Sequence, residues 1–196
     1  MELAVNIIFL LPIHITKNAI DISTQHQINS EQKILLGHEK NVAHISLWIG
    51  IISDSKIEEL HQKITNLMQQ KKLPEIVITN IDYAKKTSNP VFSFQVEKNE
   101  SLSQWHHSIS KIAEKYTVKC PANENHFNEK KNHNSSLNYL DKYYSQKNYQ
   151  PHITLGFGTH KEDITMNSFL PNGIAIYHLG NHCSCHRLIK KITPDY

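Results

Sequence analysis

"AHISLWIG", residues 43 to 50, and "PHITLGFG", residues 151 to 158, are two passages of one chain that run nearly in parallel. His44, Ile45, Leu47 and Gly50 match His152, Ile153, Leu155 and Gly158, and the hydroxyl residues Ser46 and Thr154 occupy the same place. Histidine is common here, with 14 in 196 residues, so a histidine near a hydroxyl carries little weight alone. "PIHIT", residues 12 to 16, makes the point. It has the His-x-Thr, but it lies beyond Pro12 at the end of an apolar run, Lys17 and Asn18 follow it, and no glycine closes it. His14 is therefore expected in a loop.

The two longer passages carry more information. Side chains alternate between the faces of a strand, so residues i, i+2 and i+4 share one face. The first passage would place His44, Ser46, Trp48 and Gly50 on one side and Ile45, Leu47, Ile49 and Ile51 on the other. The second would place His152, Thr154, Gly156 and Gly158 opposite Ile153, Leu155 and Phe157. In each, a greasy side suited to packing on helices opposes a side bearing imidazole, hydroxyl and small or flat groups. A hydrogen-bonded core histidine would explain either passage alone; two in matched contexts point to a shared cleft.

Around them the chain reads as alternating strands and helices. Residues 3 to 11 are a continuous apolar run suited to a central strand. Residues 17 to 40 are polar and mixed, with helical potential near Ser30 to Leu36. Ser55 and Glu58 have capping-box spacing ahead of Ile57, Leu60, Ile64, Leu67 and Met68, a helical stripe. "PEIVITNIDYA" and "PVFSFQVE" are β-rich, separated by a turn with Asn89 and Pro90. Ser101 to Gln104 is a second capping pattern, before a stripe of Trp105, Ile109, Ile112, Ala113 and Tyr116. Residues 119 to 147 lose periodicity and are expected to form an exposed, mobile loop or insertion. Thr159 to Glu162 suggests a short helix near 160 to 170, and "GIAIYHLG" and "SCHRLIKKI" end the chain as strands. A strand bearing His-x-Ser/Thr, a capped helix and two more strands thus occur twice, about half a chain apart, as an internal duplication would leave them. The expectation is one domain, residues 1 to 196, built as two lobes.

Composition sets the outer limits. A hydrophobic share of 39% supports a sizeable core, and a net charge of +3 suits an anionic ligand but is too small for tight duplex binding. Cys120, Cys183 and Cys185 are an odd number, which argues against a disulfide framework and for a reducing, cytoplasmic setting. "MELAVNIIFLLPI" lacks a basic lead and a small-residue cleavage site, and Asn6 interrupts it, so it reads as a buried strand rather than a signal peptide. No stretch reaches the length of a membrane-spanning helix.

"HISLWIG" and "HITLGFG" resemble the paired motifs of the 2H phosphoesterase superfamily, which includes LigT-like 2′-5′ RNA ligases and cyclic phosphodiesterases. "YHLGNHCSCHRLI" is similar to that family's last strand pair. The resemblance in element order spans nearly the whole chain. It implies an α/β (α+β) bilobal fold, with two pseudo-symmetric antiparallel-sheet lobes and outer helices around a central groove. It also implies a metal-independent phosphoesterase without cofactor, acting on a cyclic phosphodiester or 2′-5′ linked substrate, either an RNA end or a small nucleotide. No obligate protein partner or membrane is implied, and a monomer is expected.

The residue types suit that chemistry. Opening a cyclic phosphodiester needs a base for water and an acid for the departing ribose oxygen, and imidazoles serve both roles near neutral pH. His44 and His152 are the candidate catalytic pair, in roles that exchange with direction. Ser46 and Thr154 are candidates for holding the non-bridging oxygens. Trp48 is a candidate for stacking a base, or equally a core residue at a lobe boundary. Tyr139, Lys142, Tyr143 and Tyr144 are available in the loop before the second motif. A catalytically inactive nucleotide- or RNA-binding module of the same fold is the alternative. A metal site at "HCSCH", residues 182 to 186, is the other competitor. A continuous strand there would turn Cys183 and Cys185 to the core and His182 and His186 away, so no metal is expected.

Overall fold

The computed structural model describes residues 1–27, 34–84, 90–129, 149–164 and 167–194. Its first strand, β1 (Glu2–Leu10), is the apolar run, buried along nearly its whole length. It leads through Pro12 into helix α1 (Ile13–His26), then to β2 (His44–Ser53), which carries the first motif. Helix α2 (Ile57–Gln70) crosses to β3 (Ile76–Tyr83) and β4 (Val91–Val96), and helix α3 (Glu100–Ala113) precedes β5 (His152–Phe157) with the second motif. Three strands follow: β6 (Asn167–Phe169), β7 (Gly173–Leu179) and β8 (Cys185–Ile192).

The strands form two antiparallel four-stranded sheets, ordered β2-β1-β7-β8 and β5-β4-β3-β6. This is an α+β architecture, and each motif strand is the edge of its own sheet. Both sheets send one face into a shared core. Ile7, Phe9, Ile45 and Leu47 from the first sheet and Phe92, Phe94, Ile153 and Leu155 from the second pack with Ile15, Leu60, Ile64, Trp105 and Ile109 of the helices. Phe9 and Trp105 meet edge to face at 5.8 Å, a favourable aromatic geometry.

The repeat differs from the one the sequence suggests. β2-β1 and β5-β4 correspond, so the repeated unit is a strand, a helix and then the histidine strand. The unit read from the sequence put helix and strand pair after it. The expected helix at 160 to 170 is absent among the described residues. Glu162 instead bridges to Ile81 through a pair of backbone hydrogen bonds, and β6 pairs with β3. An outer strand edge offers unpaired backbone groups to the chain beside it, and that outweighs a weak local capping signal.

The other local expectations divide in the same way. His14 lies in the first turn of α1, exposed, rather than in a loop. α2 starts after a 3₁₀ turn with no side-chain cap, so Ser55 and Glu58 form no capping box. α3 begins at Glu100, and its cap is Asn99, which accepts from the Leu102 amide at 2.8 Å. Of the expected mobile segment, residues 119 to 129 are tied down: Asn128 N–H donates to Leu179 O at 2.9 Å. The rest, including Tyr139, Lys142, Tyr143 and Tyr144, lies outside the described residues, as do Ser30 to Lys33 of the helical stretch expected near residue 30. No helix among the described residues is long and apolar enough to cross a membrane.

Candidate active site

His44, Ser46, His152 and Thr154 line one cavity of about 310 Å³, where the two motif strands face each other. Each strand contains a β-bulge at the residue after its hydroxyl. In the first sheet Ile8 pairs with Ser46 and Ile7 with Trp48, leaving Leu47 as the extra residue. In the second, Ser93 pairs with Thr154 and Phe92 with Gly156, leaving Leu155 extra. A bulge shifts alternation by one. The histidine and hydroxyl therefore face the cavity, the bulged leucine faces the core, and the next cavity residue is Ile49 or Phe157, not Trp48 or Gly156.

This corrects the strand-parity reading of Trp48, which is 6% exposed and packed in the core. Gly50 is explained by the same shift. A Cβ there would overlap the Trp48 indole, so the glycine makes room for the ring to lie along its own strand. At the second bulge Gly156 has φ +153°, a backbone that favours glycine, and a Cβ on it would approach Gln27 Oε1 to 2.7 Å. The first bulge frees the Leu47 carbonyl, which accepts from His106 Nδ1 at 2.6 Å.

The two imidazoles are anchored alike. His44 Nδ1 donates to Val42 O at 2.7 Å, and His152 Nδ1 donates to Gln150 O at 2.9 Å, in each case the carbonyl two residues earlier. A carbonyl can only accept, so each neutral ring carries its proton on Nδ1 and leaves Nε2 with a lone pair. At His44 that lone pair accepts from Asn6 Nδ2 at 3.2 Å, and the same amide donates to Ser46 Oγ at 2.9 Å. Desolvation by burial is the main influence on His44. The Val42 carbonyl opposes it, the charge of His152 reinforces it, and the balance holds the ring's pKa at about 4. His44 is therefore neutral at pH 7.

Asn6 is the residue that motif reading missed. It is fully buried on the central strand, and its Oδ1 has no hydrogen-bond partner among the described residues. A buried, half-satisfied amide costs stability, so its retention beside His44 and Ser46 suggests a role there. The signal was present: Asn6 is the one polar residue in the run from Leu3 to Leu11. Register also brings Gln95 beside His152 and Ser93 beside Thr154, with Asn80 and Asp82 one strand further. Gln95 Nε2 donates to Ser93 Oγ at 2.9 Å.

The C-terminal "HCSCH" is also placed differently from expectation. β8 starts only at Cys185, and residues 181 to 183 form a 3₁₀ turn with φ +55° at both His182 and Cys183. The left-handed backbone breaks the alternation, and His182, Cys183 and Cys185 all line the cavity. His186 turns away to Glu129, at 3.2 Å. Among the described residues no Lys, Arg, Asp or Glu lines this cavity.

No family model and no curated protein matches the sequence. Solved structures do. TT0787 of Thermus thermophilus is 14% identical, with 97% of each chain covered and a TM-score of 0.64. A structure described as a phosphoesterase is 13% identical over 99% of this chain and 100% of its own, with a TM-score of 0.58. Escherichia coli LigT complexed with 3′-AMP is 13% identical over 100% of both chains, with a TM-score of 0.58. At such identities the likeness establishes the fold, which is the LigT-like, bilobal α+β fold of these proteins.

Proposed function

We propose that the protein is a 2H-type phosphoesterase that opens a cyclic phosphodiester on a small nucleotide or RNA end, without a metal ion. The observation that carries this reading is the matched anchoring of His44 and His152. Each gives its Nδ1 proton to the carbonyl two residues back, and each stands with a hydroxyl on one cavity. A coincidence of composition would not reproduce the bulge, the tautomer and the hydroxyl together.

The surroundings suggest a division of labour. His44, neutral with a free-base Nε2, takes a proton from water as the water oxygen bonds to phosphorus. His152, entering the step as the imidazolium with its Nδ1–H still on the Gln150 carbonyl, gives its Nε2 proton to the departing ribose oxygen as the P–O bond breaks, and the product is a phosphate monoester. Ser46, held by Asn6, and Thr154 donate to the non-bridging oxygens and stabilise charge as it develops. The roles of the imidazoles exchange when the reaction runs as ligation. The absence of Lys and Arg from the described lining favours a singly charged diester over a polyphosphate. That LigT has been crystallised with 3′-AMP and with ATP supports a nucleotide as the class.

The test is incubation with 2′,3′-cyclic AMP in the presence of EDTA. The expected result is a single monophosphate, with His44→Ala and His152→Ala each lowering the rate by about 10²- to 10⁴-fold. Full activity in either variant would sink the two-histidine mechanism. A wild-type protein inert on cyclic and 2′-5′ linked substrates, yet binding 3′-AMP in that cavity, would favour the binding module.

A further inference from the structure

One trio and one pair of metal-ligating side chains stand out among the described residues, and the tautomer of the histidine separates them. Glu2, Cys120 and His126 have their ligand atoms within 4.8 Å of one another. His126 Nδ1, however, accepts from the Asn123 amide at 3.2 Å, so its proton is on Nε2 and points at Glu2 Oε2, 3.2 Å away. A ring that binds metal through Nε2 needs its proton on Nδ1, where the Asn123 N–H stands. This trio is a hydrogen-bonded turn cap.

In the cavity the tautomer is the opposite one. His44 Nδ1–H is bonded to the Val42 carbonyl, the second partner that metal-bound histidines usually have, and Nε2 carries the lone pair. Cys185 Sγ lies 3.6 Å from that Nε2. A tetrahedral zinc ion with Zn–N near 2.0 Å and Zn–S near 2.3 Å holds its nitrogen and sulfur about 3.5 Å apart. Cys183 and His152 line the same cavity, but among the described residues neither forms a three-ligand cluster with this pair, so water completes the coordination.

We propose that this cavity is also a binding site for a thiophilic divalent metal ion such as zinc or cadmium, held by His44 Nε2 and Cys185 Sγ, and that the ion inhibits the enzyme. Binding releases one proton, that of the Cys185 thiol, to solvent, and no oxidation or reduction is involved. It occupies the lone pair that the proposed hydrolysis needs, so metal and substrate compete. The inhibition rests on the proposed function; the binding site does not.

The full chain is titrated with cadmium while the ultraviolet thiolate-to-cadmium band is followed. One ion per chain is expected. Cys185→Ser should abolish the band or weaken the apparent affinity at least about tenfold, the loss that removal of even an outer-shell partner produces. Cys120→Ser should bind as wild type does. A band that survives Cys185→Ser, one lost in Cys120→Ser, or none at all would overturn the site. In parallel, hydrolysis of 2′,3′-cyclic AMP is measured against zinc, each variant relative to its own metal-free rate. Wild type should be inhibited competitively and recover with EDTA, and Cys185→Ser should need at least about tenfold more zinc. An active wild type that binds cadmium yet keeps its full rate would refute the inhibition. A wild type inert on every substrate refutes the proposed function instead, and the cadmium band still decides the site.

Discussion

The two histidine strands are alike along their length and opposite in what lies beside them. Beside His44, Ser46 and Ile49 the adjacent strand presents Leu10, Ile8 and Asn6. Beside His152, Thr154 and Phe157 the corresponding positions of β4 are Gln95, Ser93 and Val91. The third strand extends the contrast, with Ala175 and Tyr177 on one side and Asp82 and Asn80 on the other. Nearly every polar group of one half is thus apolar in the other. The local phrase sets the direction of the imidazole and hydroxyl, while the neighbouring strand sets the medium around them. That medium is what holds His44 neutral, and the proposed division of labour between the two histidines rests on it.

The contrast can be broken at its exception, Asn6. Asn6→Ala removes the donor to both Ser46 Oγ and His44 Nε2 and should lower kcat/KM by about 10- to 100-fold, the scale of one or two lost buried hydrogen bonds. Val91→Ala, at the matching position of the other half, should cost less than about threefold, measured on the same substrate. Because Asn6 donates to the unprotonated ring, its loss should also move the acid limb of the kcat/KM profile upward. An unmoved limb would reduce Asn6 to a packing role.

Acid pH sharpens the same contrast. The folded His44 holds about 4 against an ordinary 6.5, so it binds a proton less readily folded than unfolded. Its contribution to stability is therefore intact above pH 6.5 and drains away as pH falls from 6.5 towards 4. The loss is on the order of 2 kcal/mol, after a discount for the cavity's partial access to water. Urea unfolding of wild type and His44→Gln across that window should show a shallower slope in the variant. The acid limb of kcat/KM, which reports the free enzyme's base, should lie well below the usual histidine range.

Two smaller effects test the bulges. Gly50→Ala must displace the Trp48 indole and should destabilise by about 1–2 kcal/mol in thermal or urea unfolding. Trp48→Phe should cost less than about 1.5 kcal/mol and leave KM unchanged, because the ring lies in the core. A rise in KM with Trp48→Phe would return that residue to the cavity.

Much of the site was legible because its parts repeat. His44, Ser46, His152 and Thr154 were identifiable from two short phrases, since the period of a strand is two and the phrases begin before their bulges. Trp48 was misplaced because a bulge leaves no mark on a one-dimensional pattern; it is defined by the partner strand. Helix α1 was missed because Ile15, Ala19 and Ile22 make a thin stripe in a polar stretch. The helix expected after Thr159 was lost to the open edge of β3.

The sequence alone determined every strand but β6, their greasy and polar sides as far as the bulges, and the four side chains that share a cavity. These depend on periodicity and on residues close together in the chain. The tertiary structure alone decided that Asn6 lies behind His44 and Ser46, that Trp48 is core, and that Cys185 comes within 3.6 Å of His44. Each of those facts depends on strands brought together from distant parts of the chain, and long-range pairing is energetic information that no local pattern contains.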